Sequence, residues 1–385
     1  MKITKMETYF LSCPLPQPVR TSNHTISQVS EVIVTLTTDA GLVGIGEGHG
    51  PFLLRQGADG LSVVRDILQA ITPLILGEDP FNVERIWQDL FALTYTSVRG
   101  IPTLARQQRQ LITAMSAIDI ALWDLMGKAV ERPVYALLGG ALRQRIPAYV
   151  TGFYYKDGEQ LDDLKREAEF YLEQGYRILK MKVAGVTPEA DAERVRVVRE
   201  TVGDDAEIML DANQGWSLSS ALQAVRLFEP YRIFWLEDPM PWYDERQTMQ
   251  RLKAATSIPI AAGETEYTPF GLRRMVADGL VDYLIVDSTW SGGLTTWRKA
   301  AVLAELYQIP MAAHHDPQIH VHAQAATPTG FILESFADPE RDPLWFELFR
   351  QRPEIVDGFM SLPEAPGLGL ELRQETLEAY GVKIL

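Results

Sequence analysis

Three acidic residues in the second half of the chain each close a short apolar run. Asp211 ends Ile208-Met-Leu-Asp, Glu237 ends Phe234-Trp-Leu-Glu, and Glu264 follows Ile260-Ala-Ala-Gly, at intervals of 26 and 27 residues. Each alone reads as a solvated strand-end acid or a helix cap. Recurring at one interval, they read as ligands brought to a common rim. Three carboxylates at one place repel one another unless a cation neutralises them, and an all-oxygen, hard donor set selects Mg2+ over zinc or copper. One ion per subunit is the expectation.

Other chemistry-bearing residues keep the same interval. Lys180-Met-Lys182 lies one unit before Asp211, and the period of two along a strand puts both ammonium groups on one side. Two like charges held close depress each other's pKa, which makes a lysine a base near neutral pH. Asp287 and His314 are 27 residues apart, a pairing in which a carboxylate orients an imidazole and raises its basicity. Glu334 ends a further run 20 residues later. His314-His315-Asp316 could be mistaken for a zinc cluster, but neighbours on a strand point to opposite sides.

The interval implies the elements. From Tyr149 onward, β-branched runs at 147–151, 178–183, 207–211, 233–237, 260–263, 283–286, 310–313 and 331–334 alternate with amphipathic helical patterns such as 189–202 and 294–307. Strand and helix repeated eight times predict parallel strands in a (β/α)8 barrel, whose active sites gather at the C-terminal ends of the strands. A doubly wound sheet would carry a glycine-rich phosphate loop after its first strand, where this chain has Gly152-Phe-Tyr-Tyr155. The first third predicts strands at 2–11, 29–38 and 42–46, a polar loop over 14–28, and helices at 60–75, 82–93 and 107–128, the last apolar around most of its circumference and hence buried. No helix is expected after Trp345; the Pro- and Gly-rich tail is expected to return to the first domain.

Length and composition agree. At 385 residues the chain favours two domains or one large barrel, and 46% hydrophobic with 23% charged residues excludes disorder and coiled coil. A net charge of −15 disfavours nucleic acid and anionic membrane as partners. It also means that an anionic substrate needs a local cation. The single cysteine, Cys13, closes no intrachain disulfide, and neither a signal peptide nor a spanning segment is read from the sequence, so a cytoplasmic location is expected.

These residues resemble the mandelate racemase subgroup of the enolase superfamily. The resemblance extends to the helix Ala117-Ile-Asp-Ile-Ala-Leu-Trp-Asp-Leu-Met-Gly-Lys128, to Pro133-Val-Tyr-Ala-Leu-Leu-Gly-Gly140 and to Pro366-Gly-Leu-Gly369. It implies a TIM barrel modified to (β/α)7β, with an N-terminal α+β capping domain over residues 1–130, the barrel over 131–350 and a returning segment over 351–385. It implies Lys182 as base and Lys180 as its pKa-lowering neighbour. Asp211, Glu237 and Glu264 become the Mg2+ ligands, Asn213 a neighbour of metal and substrate, Asp287 and His314 the second acid/base pair, and Glu334 the group that hydrogen-bonds the substrate carboxylate. The mechanism implied is removal of the proton alpha to a carboxylate through an enediolate.

The lysine that muconate-lactonising relatives carry near the end of strand six is replaced by Asp287-Ser-Thr289. Two bases permit dehydration of an acid sugar to a 2-keto-3-deoxy acid, the favoured outcome, or racemisation of a 2-hydroxy acid. A catalytically inactive binding barrel would have lost at least one of these residues, and a zinc hydrolase would want His-x-His where Tyr149-Val-Thr151 stands. Specificity is expected from loops at 19–26 and 48–56, with Arg20 pairing a distal carboxylate and His24 and Asn23 binding hydroxyls. The partner is a small carboxylate, and a homo-oligomer, dimer or octamer, is implied.

Overall fold

The computed structural model describes residues 1–49, 60–241 and 245–385. Strands β1 (Ile3–Arg20), β2 (Thr25–Thr38) and β3 (Val43–His49) form an antiparallel meander. Helix α3 (Gln108–Ala129) packs on it, and α1 (Gly60–Ile71) and α2 (Val83–Ala92) pack on α3. Every residue of α3 from Leu111 to Gly127 is buried, as its nearly uniform apolarity requires.

The short α4 (Val134–Leu137) leads to eight parallel strands. They are β4 (Arg145–Gly152), β5 (Ile178–Lys182), β6 (Glu207–Asp211), β7 (Ile233–Glu237), β8 (Ile260–Ala262), β9 (Tyr283–Val286), β10 (Met311–Ala313) and β11 (Gly330–Ser335), and β11 pairs back to β4 to close the barrel. The crossover helices are α5 (Leu161–Glu173), α6 (Pro188–Val202), α7 (Leu218–Phe228), α8 (Glu245–Lys253), α9 (Pro269–Ala277), α10 (Gly293–Tyr307) and α11 (Pro317–Ala326). Only the five-residue α12 (Pro343–Glu347) follows β11, so the eighth unit is truncated.

Inside the barrel, Tyr149, Met209, Trp235, Ala261, Ile285, Ala312 and Ile332 form an apolar layer of their own, one from each strand except β5. That strand contributes Lys180, fully buried and in register with Met209. The layer sets the phase of everything above it, because side chains two residues further along each strand also point inward, at the C-terminal rim.

Two expectations are corrected. The polar loop expected over 14–28 is mostly strand: β1 runs through Arg20 and β2 begins at Thr25, leaving only Thr21–His24 as the turn. Pro14, Pro16 and Pro18 are accommodated because, between the β16 pairing that ends at Leu11 and the bridge of Arg20 to Tyr155, the described residues give β1 no second strand neighbour, and its register with β2 shifts between Pro14 and Val19. Helix also recurs after Trp345. Beyond β12 (Phe349–Gln351), β13 (Ile355–Val356), β14 (Phe359–Ser361) and β15 (Glu371–Leu372) lies α13 (Gln374–Tyr380), and β16 (Gly381–Lys383) then joins the edge of β1. The tail thus returns to the first sheet.

Candidate active site

Two residues beyond the apolar layer stand Thr151, Lys182, Asp211, Glu237, Asp287, His314 and Glu334. The alternation that buries the layer therefore also aims these side chains into the mouth. Glu264 is the exception. The position in phase on β8 is Gly263, with φ +129°, and the chain turns there so that the next residue faces inward; a Cβ at Gly263 would lie 2.5 Å from the Ile285 carbonyl oxygen. Left-handed backbone recurs around the same rim at Phe153, Ala184, Asn213, Gln214, Asp238, His315 and Asp316. Strain of this kind persists only where surrounding structure imposes it.

Ligand oxygens of Asp211, Glu237 and Glu264 lie within 4.8 Å of one another, all buried. Asn213 donates to Asp211 from its backbone N–H (2.8 Å) and its amide (3.1 Å), and the Trp235 indole donates to Glu237 Oε2 (3.1 Å). Burial, together with Asp238 and Asp211, pushes Glu264 up to about 8. Burial only partly offset by Lys180, with Asp211 and Glu264 nearby, pushes Glu237 well above the usual carboxylate range. Glu264 Oε2 is buried without a hydrogen bond, although His314 Nε2 is 3.4 Å away. Lys182 and Lys180 hold Asp211 below its ordinary value, while its two neighbours are raised; three buried carboxylates this close, with an orphaned oxygen among them, fit a hard divalent cation.

The lysines are held by the acids. Lys182 Nζ lies 2.5 Å from Asp211 Oδ2, and Lys180 Nζ lies 2.7 Å from Glu237 Oε1 and 2.9 Å from Glu334 Oε1. Burial works to lower both lysines, but the carboxylates outweigh it and hold both above the ordinary value. Lys180 does lower Lys182, as expected of like charges, but the charge of Asp211 facing the Lys182 ammonium outweighs it.

His314 Nδ1 is 2.7 Å from Asp287 Oδ2, and Asp287 Oδ1 accepts from the backbone and hydroxyl of Thr289. Burial lowers the imidazole, but the Asp287 hydrogen bond and the charge of Glu334 raise it above its ordinary value. Trp290 stacks on the ring at 4.9 Å. His315 departs from the expected alternation. With φ +51° its ring lies 4.2 Å from that of His314 instead of on the opposite side, and burial holds it well below the usual histidine range.

Glu334, at the end of β11, is surrounded by donors. It accepts from Lys180, from the Thr151 hydroxyl (2.5 Å) and from the His315 backbone N–H (2.9 Å). Burial raises it, but Lys180 and His314 hold it well below the usual carboxylate range.

The first sheet covers the mouth. Thr21, His24, Ile26 and His49 line the same cavity as Lys182, Asn213, Glu264 and His314. Ser22 donates to the Ala212 carbonyl (2.7 Å) and Asn23 to that of Asn213 (2.7 Å), tying the cap to the end of β6. Arg20 is not part of this cavity. Because β1 continues to its end with period two, Val19 is buried and Arg20 points outward, half-exposed, 3.6 Å from Asp157 in a separate surface depression. Its expected pairing with a distal substrate carboxylate is overturned. Of the second specificity loop, residues 50–56 lie outside the described residues. Among residues that sequence reasoning missed, Thr151 and Trp235 were legible in principle from strand phase. Arg341, which lines the cavity from the irregular segment after β11, carried no periodic signal.

Comparison with known proteins bears on this geometry. The family model for the mandelate racemase / muconate lactonizing enzyme N-terminal domain matches residues 5–139, and the enolase C-terminal domain-like model matches residues 163–376. The chain belongs to the mandelate racemase / muconate lactonizing enzyme family of the enolase superfamily. It is an enzyme of that superfamily. It is 31% identical to an arabinonate dehydratase of Saccharolobus solfataricus across 92% of this chain and 91% of that protein. It is 30% identical to a D-galactarolactone cycloisomerase of Agrobacterium fabrum across 99% of both. A solved racemase from Streptomyces coelicolor with bound magnesium superposes with TM-score 0.87 at 29% identity, covering 99% of this chain and all (100%) of that one. Among the described residues no helix is long and apolar enough to cross a membrane.

Proposed function

We propose that this enzyme removes the proton alpha to the carboxylate of an acid sugar and dehydrates it to a 2-keto-3-deoxy acid. The observation that carries the reading is the joint presence, at one barrel mouth, of three mutually close buried carboxylates, Lys182 from the second strand and the pair of Asp287 after the sixth strand and His314 after the seventh. Asp211, Glu237 and Glu264 would hold Mg2+, which when bound supplies positive charge beside the substrate carboxylate and competes with Lys182 for Asp211.

Lys182, on β5, takes the alpha proton. His314 reaches the substrate from a different side, three strands away around one arc of the barrel and five around the other. Held in orientation by Asp287 and raised in basicity, it carries the proton that the departing hydroxyl needs. Lys180 and Glu334 fix each other, and through them Glu237 and the His315 backbone, so that the base and the triad keep their places. Asn213 and His24 are assigned to substrate hydroxyls.

Residues 1–130 act as the cap, 131–350 as the catalytic barrel and 351–385 as the return. We place the enzyme in the cytoplasm as a homo-oligomer, dimer or octamer; the exposed Val302, Leu306 and Tyr307 on α10 form an apolar strip suited to a subunit contact. The test is a screen of mono- and diacid sugars with Mg2+, reading 2-keto products. Dehydration of at least one acid is expected. Alpha-deuteration in heavy water with no keto product from any acid would replace this reading with racemisation.

A further inference from the structure

Arg341 lies between β11 and α12, 9% exposed, and lines the cavity it shares with Lys182 and His314. Its guanidinium carbon sits 4.6 Å from the centre of the Phe336 ring and 4.8 Å from that of Tyr154, and Nη2 is 2.9 Å from the Tyr154 hydroxyl. Nε and Nη1 are buried and make no hydrogen bond. That leaves three N–H groups without an acceptor. Among the described residues no carboxylate reaches it as an ion pair. Lys180 and Lys182, the other buried cations of the mouth, each hold a carboxylate.

A guanidinium cannot shed its charge as a lysine can, so a buried one retains the cost of desolvation until an anion or acceptor meets it. The two flanking rings fix its plane and supply only part of what water gave. The position is as informative as the chemistry. The carboxylate triad occupies the ends of the third to fifth strands. Arg341 follows the eighth strand and leans on Tyr154, just past the first, and so lies across the mouth from β7, the centre of the triad. A small acid held by one carboxylate at the triad does not bring that same carboxylate to Arg341. It brings the other end of the molecule.

We propose that Arg341 binds a second, distal carboxylate, so that the preferred substrates are diacids and not monoacids. The inference rests on the reading above for placing the reacting carboxylate at the triad. It gives Arg341 the part that sequence reasoning had assigned to Arg20.

The test compares galactarate with D-galactonate, which differ by one terminal carboxylate. Binding is measured by calorimetry with Mg2+ present, in a Lys182→Met background that stops turnover, with Arg341 intact, as Arg341→Met and as Arg341→Lys. With Arg341 intact the diacid should bind more tightly. Arg341→Met should weaken galactarate by roughly 10- to 100-fold, the range for a lost hydrogen bond to a charged group, and leave D-galactonate within about threefold. Arg341→Lys, which keeps the charge, should recover part of the preference, whereas a role only in packing Tyr154 predicts that lysine fails as methionine does. Equal binding of the two acids with Arg341 intact, or equal weakening of both by Arg341→Met, would overturn the proposal. Alpha-proton exchange in heavy water by the otherwise wild-type enzyme separates the two readings: no exchange with any acid, alongside an Arg341-dependent diacid preference, rejects the reaction and leaves the subsite standing.

Discussion

The chemistry of this enzyme depends on which buried charges face which. Around the barrel mouth Asp211 holds Lys182, Glu237 and Glu334 hold Lys180, and Asp287 holds His314, while Glu264 keeps an oxygen without a hydrogen bond. One consequence is measurable without substrate. Titration with Mg2+ in a calorimeter should give one site per chain, and Glu264→Gln should weaken it by at least about tenfold, as loss of one of three charged ligands requires. More than one site, or unchanged affinity in the variant, would contradict the assignment. Most of the constellation was legible because a strand repeats every two residues: once Asp211 and Glu237 are placed at strand ends, Lys182, Asp287, His314 and Glu334 follow in phase. Glu264 is out of phase, and only the turn at Gly263 brings it in. Arg20 was misassigned because three prolines were read as a loop, when an edge strand tolerates them and alternation then sends Arg20 outward. Arg341 lies on no periodic element, so its burial is a tertiary fact.

Between elements, the closest approach that matters is β3 on α3. Gly44, Gly46 and Gly48 share one face of β3, and a Cβ on Gly46 would lie 1.8 Å from the Ala117 carbonyl oxygen. The helix backbone rests there on the strand backbone, which is why small residues alternate with larger ones in Val43-Gly-Ile-Gly-Glu-Gly-His49. Gly46→Ala should cost at least about 2 kcal/mol in urea unfolding, in the upper range of overpacking, and a loss below about 0.5 kcal/mol would refute the contact. The same helix carries Asp119, whose Oδ2 accepts the Thr295 N–H at 2.9 Å while Oδ1 has no partner. Burial raises this carboxyl to about 7. Between the unfolded value near ~3.9 and about 7, the folded state keeps a proton that the unfolded chain has released, so stability falls as pH rises through that window, by up to about 1.4 kcal/mol per unit. Above about 7 the penalty is complete. Asp119→Asn removes that contribution, so the stability difference between variant and wild type should shift in favour of the variant from pH 5 to pH 8 in chemical denaturation. A difference independent of pH would show that Asp119 titrates normally. The strands, helices and even the buried face of α3 were readable from periodicity; the reason for the glycines was not, because it lies in a partner element some 70 residues away.

At the scale of the whole molecule, the active site is a joint. The meander reaches over the barrel through Ser22 and Asn23, and Trp87 and Trp123 reach from α2 and α3 to Gly292 and Thr295 at the start of α10. Such contacts span well over a hundred residues of sequence, so the barrel was legible from its repeating unit while the seating of the cap on it was not. An acidic molecule thus closes over a mouth in which the buried Lys180 and Lys182 already hold carboxylates, while among the described residues Arg341 holds none. The central claim, that Lys182 removes the alpha proton and His314 serves the departing hydroxyl, is tested most directly by proton exchange in heavy water on a turned-over acid sugar, comparing Lys182→Met and His314→Asn with the wild type. Lys182→Met should lose both turnover and exchange of the alpha hydrogen. His314→Asn should lose turnover by ~10²–10⁴-fold, the usual contribution of a positioned acid, yet still exchange that hydrogen with solvent deuterium. Exchange that survives in Lys182→Met and vanishes in His314→Asn would reverse the two roles, and normal turnover in both variants would contradict the account.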